Sequence, residues 1–306
     1  MVGIVIGSLE PIFRDADIAA RSSEAVLILG ETGVGKEVLA RYIHERSRRR
    51  TRPFLPINCA ALPTSLLESE LFGYERGAFT GATQSRRGLL EEAHGGTVFL
   101  DEVAEIPVEA QAKLLRAIET QQIRPLGSAR YRPIDVRFIA ATNADIKQKV
   151  ERGEFRRDLY YRLSIFVYRI PPIRERPQDI PELVRHFLTE AGVSVRLSPA
   201  TWELLLCYPW PGNVRELKNA IAYALARVEG EEIRPEHLPE FILAQCPRPE
   251  VLRDTALRAK LACFEAQLLA EALARHADLR EMARELGIGV RTLYRKLKRY
   301  GLSRPE

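Results

Sequence analysis

The segment Gly30-Glu31-Thr32-Gly33-Val34-Gly35-Lys36 spells GxxxxGK, with Glu37 directly after it. Glycines at these positions let successive backbone N–H groups close around phosphate oxygens, and a helix starting there adds its own unpaired donors to the same anion. The Lys36 ammonium can then reach the outer phosphates. The position that usually offers a hydroxyl to magnesium is Glu37, so direct hydroxyl ligation is not expected from this loop. Two carboxylates, Asp101 and Glu102, close the apolar run TVFL. At the carboxyl end of a buried strand they can divide the needs of phosphoryl transfer to water: Asp101 to hold a hydrated Mg2+, Glu102 to orient or polarise the attacking water. Asn143 ends the run VRFIAAT. It would approach the γ-phosphate if its strand neighbours the P-loop strand, and it would otherwise cap a strand end. In ERGAFTGATQ, Phe79 stands between Ala78 and Thr80 with Gly77 and Gly81 outside them. That placement resembles an interface anchor on a loop, with a tight turn tucking the ring inward as the alternative.

The patterns around these residues supply the elements to hold them. Apolar runs at AVLIL (25–29), FLPINCA (54–60), TVFLDEV (97–103) and VRFIAATN (136–143) alternate with helical stretches such as VLARYIHERS and VEAQAKLLRAIET. The alternation predicts an α/β fold, a parallel sheet with helices on both faces. Beyond Pro172 the strand signals stop and an all-helical subdomain is expected, with Ser198-Pro199 reading as an N-cap and first-turn proline. QCPRPEVLRD at 245–254 reads as a linker. A helix near 256–275 then precedes EMARELGIGVRTLYRKLKRYG, two short helices separated by Gly287-Ile288-Gly289.

With 306 residues, 46% hydrophobic and 28% charged, the chain has the size of about two domains and a globular composition, which excludes wholesale disorder and collagen-like architecture. No apolar run reaches the 18 or so residues of a membrane span, so a soluble cytoplasmic protein without membrane contact is expected. Cysteines 59, 207, 246 and 263 show no CxxC spacing, which argues against a disulfide framework or zinc site. The net charge of +5 is unevenly placed: Arg275 to Glu306 holds nine Lys/Arg against four Asp/Glu, leaving 37 of each sign elsewhere. A basic end of this kind suits a polyanion. A helix from about Val290 would put Leu293 and Leu297 on one face and Arg291, Arg295 and Lys298 on another, the layout of a recognition helix. A solvated amphipathic helix is the alternative.

GETGVGKE, INCAALPTSLLESELFGYERGAFTGA, GGTVFLDEV, ATN, FRRDLYYRL and WPGNVREL occur in this order. Together they resemble the AAA+ domain of sigma-54-dependent transcriptional activators, the bacterial enhancer-binding proteins, over about 7–242. ELGIGVRTLYRKLKRYG resembles the Fis-type helix-turn-helix that such activators carry. The resemblance implies an AAA+ P-loop α/β subdomain at 1–172, a helical lid at 173–244, a linker at 245–255 and a helix-turn-helix domain at 256–306. It implies ATP and Mg2+ as cofactors. Lys36 and Asp101 match the ATP and magnesium residues, Glu102 the water-activating carboxylate, and Asn58 the asparagine that restrains that glutamate. Asn143 lies in the first sensor, Arg215 in the second, and Arg156 and Arg162 match arginines presented to a neighbouring subunit's ATP, so a ring, a hexamer, is implied. Gly77, Ala78, Phe79, Thr80, Gly81 and Ala82 form the GAFTGA loop that would move against sigma-54 in the RNA polymerase holoenzyme. Arg291, Thr292, Arg295, Lys296 and Lys298 would meet double-stranded enhancer DNA. Glu37 agrees with the family. Ala277-Asp278 and Gly289 depart from the usual Gly-Asn and Ser of the DNA-binding module; glycine still serves as a helix cap. With the P-loop beginning at residue 30, no sensory domain is expected before it. Control would then come from a separate regulatory protein, from expression level or from a domain removed from the chain.

Two rival readings carry different expectations. In one, the protein is a DNA-binding regulator in which nucleotide only promotes assembly, without sigma-54 contact; the intact GAFTGA sequence counts against it. In the other, a helicase-like motor, strand-tracking residues would be needed, and a helix-turn-helix fits that badly.

Overall fold

The computed structural model describes residues 7–61, 63–245, 269, 272–273 and 278–299. The chain divides into two units, Met1–Ile242 and Leu243–Glu306. In the first, helix α1 (Glu10–Arg21) leads to strand β1 (Val26–Leu29), the P-loop and helix α2 (Lys36–Glu45). Strand β2 (Phe54–Asn58) and helix α3 (Thr64–Phe72) follow, then the two-residue strands β3 (Gly73–Tyr74) and β4 (Arg86–Arg87) and helix α4 (Leu89–Glu92). Next come β5 (Thr97–Asp101), α5 (Val108–Thr120), the short pair β6 (Gln122–Ile123) and β7 (Arg132–Pro133), and β8 (Arg137–Thr142). Helices α6 (Ile146–Glu151) and α7 (Arg157–Leu163) lead to β9 (Phe166–Arg169).

The central sheet has the order β2-β5-β8-β1-β9, every pairing parallel. Parallel strands are hidden on both faces, so their side chains alternate between two apolar layers. Val26, Ile28, Ile139 and Ala141 face Phe13, Leu39 and Ile43 of α1 and α2. Leu27, Leu100, Phe138 and Ala140 face Leu71, Leu114 and Leu159 of α3, α5 and α7. Truncating a fully buried leucine such as Leu114 to alanine would cost about 2–5 kcal/mol. The fifth strand was not among the sequence expectations. It is the sheet edge and buries only Tyr168 fully among its four residues, so its apolar signal is weak.

Beyond β9 the lid contains α8 (Ile180–Glu190), α9 (Pro199–Cys207) and α10 (Asn213–Leu225). Ser198 Oγ accepts from Thr201 N at 3.2 Å, with Pro199 opening the helix, as the sequence predicts. The lid is not all-helical. Arg196–Leu197 and Glu232–Ile233 pair in parallel, a two-residue ladder too short to show a period in sequence. Among the described residues no helix is long and apolar enough to cross a membrane.

In the second unit, helices Leu279–Glu285 and Val290–Arg299 are joined by a turn through Gly287, whose φ of 64° lies in the left-handed region that glycine tolerates. Leu293 and Leu297 are buried with Leu269, Ala272, Met282 and Ala283. Most of the expected linker (246–255), most of the expected helix at 256–275, and Ala277 lie outside the described residues.

Candidate active site

The strand order puts the chemistry in one place. Because β1 lies between β8 and β9, with β5 beyond β8, the carboxyl ends of β1, β5 and β8 open into a common cleft of about 580 Å3. The P-loop, Asp101, Glu102, Asn143 and Arg215 all line it. Gly33 and Gly35 hold φ values of 82° and 108°, which few other residues adopt at low cost. A Cβ at Gly33 would also lie 2.4 Å from the carbonyl oxygen of Gly212 in the lid. Lys36 is buried, and its ammonium donates to the Gly30 carbonyl at 2.9 Å and to Glu102 Oε1 at 3.2 Å.

Glu102 is the convergence point. Its backbone stands in the left-handed region, φ 53°, a costly state for a side-chain-bearing residue and one that marks functional sites. Its other carboxylate oxygen accepts from Asn143 N at 3.0 Å and from Thr142 Oγ1 at 3.4 Å. Asn143 in turn donates from Nδ2 to Thr32 Oγ1 at 2.9 Å, so the β8 end touches both the P-loop and the glutamate. Asp101 accepts the Glu102 N–H at 3.1 Å. Burial raises the Asp101 carboxyl above its ordinary range, with Glu102 pushing the same way and Lys36 opposing. A half-buried oxygen donor whose charged form is destabilised by burial gains from a hard divalent cation, so this position fits Mg2+.

Other expected residues are placed differently. Asn58 lines the cleft, but its Oδ1 is taken by Ala60 N at 3.0 Å, while the contacts to Glu102 come from Lys36, Thr142 and Asn143. The asparagine that would restrain the glutamate instead caps its own turn, a short-range bond always within reach. Glu31 faces away from the P-loop's phosphate cradle. Arg174 donates to both its oxygens, at 2.8 and 2.5 Å, and Asn213 Nδ2 donates at 3.1 Å. These bonds hold the Glu31 carboxyl down at about 2. Val34 is buried, and Glu37 pairs with Arg41 at 2.7 Å along the helix. Arg156, at the N-cap of α7, pairs with Asp158 of that helix at 2.7 Å, and Arg162 lies 4.0 Å from Glu24; neither lines its own chain's cleft.

Arg174, Asn213 and Thr142 were not singled out from sequence. Asn213 is buried with φ 55°. It donates to Thr32 O and accepts from Ile173 N, at 3.1 and 2.9 Å, and Val214 N donates to Gly33 O at 3.1 Å. The lid is thus bonded to the P-loop backbone. The only local signal was Gly-Asn before a helix, since asparagine tolerates this conformation.

The GAFTGA loop closes on itself. Gly77 N donates to Ala82 O at 2.9 Å and Ala82 N to Phe79 O at 3.0 Å, with β3 and β4 pairing antiparallel at its neck. Phe79 is 42% exposed, and its ring stands edge-on to Tyr74 at 5.0 Å between centroids. Both readings of this aromatic are partly met: it rests on a neighbour and still offers a face. Gly77, Thr80 and Gly81 are exposed and Ala78 is partly so, whereas Ala82 is buried and belongs to the neck rather than to a contact surface. In the second unit Arg291 and Arg295 are exposed, and Thr292 and Lys296 are half-buried. Lys298 falls in the same helix, with its side chain outside the described residues.

A five-stranded parallel sheet, a P-loop, a carboxylate pair at the end of the strand one removed from the P-loop strand and a lid bonded to the loop define a nucleotide-binding protein of the AAA+ type. The sequence families agree: Sigma-54 interaction domain matches residues 6–169, AAA+ ATPase lid domain 174–254, and Bacterial regulatory protein, Fis family, 260–300. The first covers more than half of the chain, which belongs to the sigma-54 interaction domain family. The chain is 47% identical to the C4-dicarboxylate transport transcriptional regulatory protein DctD of Pseudomonas aeruginosa, covering 90% of this chain and 59% of that protein. It is 42% identical to the DNA-binding transcriptional activator HyfR of Escherichia coli, covering 97% and 47%. The chain spans about half the length of the curated relatives it matches. The crystal structure of NtrX from Brucella abortus in complex with ATP is similar at a TM-score of 0.76 and 31% identity, covering 97% of this chain and 70% of that one.

Proposed function

We propose that this protein is a cytoplasmic, ATP-hydrolysing transcriptional activator that binds upstream DNA and uses its GAFTGA loop to remodel a sigma-54 RNA polymerase closed complex. The observation that carries the reading is Glu102, whose carboxylate is bracketed by the P-loop lysine and the backbone N–H of Asn143. A carboxylate so held can orient a water toward a phosphate cradled by the N–H groups of the loop. Asp101 would hold Mg2+, which when bound neutralises phosphate charge. Lys36 binds the same phosphates, Arg215 approaches them from the lid, and Thr32 with Asn143 senses their occupancy through its hydrogen bond. Arg156 and Arg162 stand off the chain's own cleft, and an arginine supplied by a neighbour stabilises transition-state charge only in an assembly. The reading therefore includes a homo-oligomeric ring, most simply a hexamer.

In vitro transcription from a sigma-54 promoter, run beside an ATP turnover assay, tests this reading. Wild type is expected to open the promoter only with ATP. Glu102→Ala should lose turnover and opening together. Thr80→Ala should keep turnover and lose opening. Opening that persists in Thr80→Ala, or wild-type assemblies that turn over no ATP, would defeat the proposal.

A further inference from the structure

Positions 46–52 read Arg-Ser-Arg-Arg-Arg-Thr-Arg, and the fold holds this stretch as a braced turn. Ser47 is buried; its hydroxyl donates to the His44 carbonyl at 2.7 Å and accepts from Arg49 N at 3.0 Å. Arg49 reaches across to the carbonyls of Gly96 and Asp135, at 3.2 and 3.1 Å, and pairs with the Asp135 carboxylate. The adjoining end of α1 is fixed by buried Arg137, which donates to the carbonyls of Ala19 at 2.6 Å and Ala20 at 3.4 Å. Between these two braced segments, Arg21, Arg46, Arg48 and Arg50 surround an open concavity of about 560 Å3, completed by Ser47 and Thr51.

Arginine density sets this face apart, with four of them around one concavity. Elsewhere some exposed arginines, such as Arg14, Arg41, Arg86 and Arg174, meet a carboxylate, and others, such as Arg76, Arg152 and Arg169, make no ion pair among the described residues. Here Arg46 lies 3.6 Å from Asp17 and over the Tyr42 ring. Arg21, Arg48 and Arg50 are exposed and make no ion pair among the described residues. The lining is guanidinium and hydroxyl, with no large apolar side chain to act as a protein anchor. A positive, polar, wet surface matches a nucleic-acid backbone better than the apolar centre of a protein interface. Its position matters too. Thr51 to Pro53, Gly95-Gly96 and Asp135-Val136 precede β2, β5 and β8, so the turn lies at the amino-terminal edge of the sheet, opposite the nucleotide cleft. The GAFTGA loop is tied to the same edge: Tyr74 bridges Leu126 in the turn between β6 and β7, and Arg132 of that pair bonds Glu75 at 2.6 Å, three residues before Asp135.

We infer that this arginine face binds the phosphodiester backbone of double-stranded DNA, independently of sequence, on the end of the sheet that presents the GAFTGA loop. Its setting, promoter DNA beside the polymerase, rests on the proposed function above; the binding itself does not. The test uses the full chain with Arg291→Ala and Arg295→Ala, which weaken the helix-turn-helix contact, and follows affinity for a mixed-sequence duplex across a salt series. Residual, salt-dependent binding is expected. Adding Arg48→Gln and Arg50→Gln should make the log–log salt slope shallower by roughly 0.9 for each phosphate no longer neutralised, about 1.8 for the two arginines. ATP turnover should stay at the level of the parent, which separates failure here from failure of the activator reading. An unchanged slope, or no duplex binding before the glutamine substitutions, would overturn the inference. So would loss of binding to a poly-glutamate peptide while duplex binding stays unchanged, since that outcome assigns the face to an acidic protein surface.

Discussion

Glu31 shows how one side chain of a phosphate loop can serve the protein rather than the ligand. Its carboxylate faces Arg174 and Asn213, and these partners depress its pKa from 4.5 to about 2. A depressed carboxylate contributes stability above the unfolded value, and that contribution is lost as pH falls through the folded one. The window is therefore about pH 4.5 down to 2. Both partners of the ion pair are more than a third exposed, so solvent screening limits the gain to under about 1 kcal/mol. In Arg174→Ala, carboxyl NMR titration should find the Glu31 midpoint moved back toward 4.5, and the stability difference from wild type should vanish toward pH 2. Asp101 behaves oppositely, its pKa being raised by burial.

At the scale of elements, the GAFTGA loop depends on the turn beside it. Gly127 holds φ 74°, and a Cβ there would lie 2.9 Å from the Ala78 Cβ. Gly127→Val combines left-handed strain with that clash. It should displace the loop, lowering promoter opening far more than ATP turnover; equal loss of both would show that the loop position does not matter. The carboxyl-terminal helix separates packing from contact. Leu293→Ala should destabilise its unit by about 2–5 kcal/mol, seen in thermal unfolding. Arg295→Ala should leave unfolding unchanged and make the salt slope of DNA binding shallower by about 1. The Fis-type pair of helices was legible because Leu293 and Leu297 recur at a helical interval on a basic background. The hairpin of β6 and β7 was not, since strands of two residues carry no period.

At the scale of the whole molecule, Arg156 and Arg162 do not line the cleft of their own chain. If Arg156 and Arg162 complete a neighbour's site, then Glu102→Ala and Arg162→Ala chains, each inactive alone, should regain turnover when mixed. Some junctions would then join an intact glutamate to an intact arginine. Turnover that stays at the background of the separate variants would place Arg162 in a role within its own chain, where it already lies 4.0 Å from Glu24.

Contiguous stretches of sequence suffice for the P-loop, the carboxylate pair after an apolar strand and the basic carboxyl-terminal helix, whereas the exposure of Phe79 is settled only by the folded chain. In each of those stretches the backbone preference and donor pattern are written locally. Which groups meet is settled by the folded chain. It puts Asn143 N rather than Asn58 against Glu102, turns Glu31 toward the lid, and brings Arg21 to the arginines of 46–50. Such pairings join residues far apart in the chain, and they depend on strand order and register, which follow from burying both faces of the sheet at once and from no single segment.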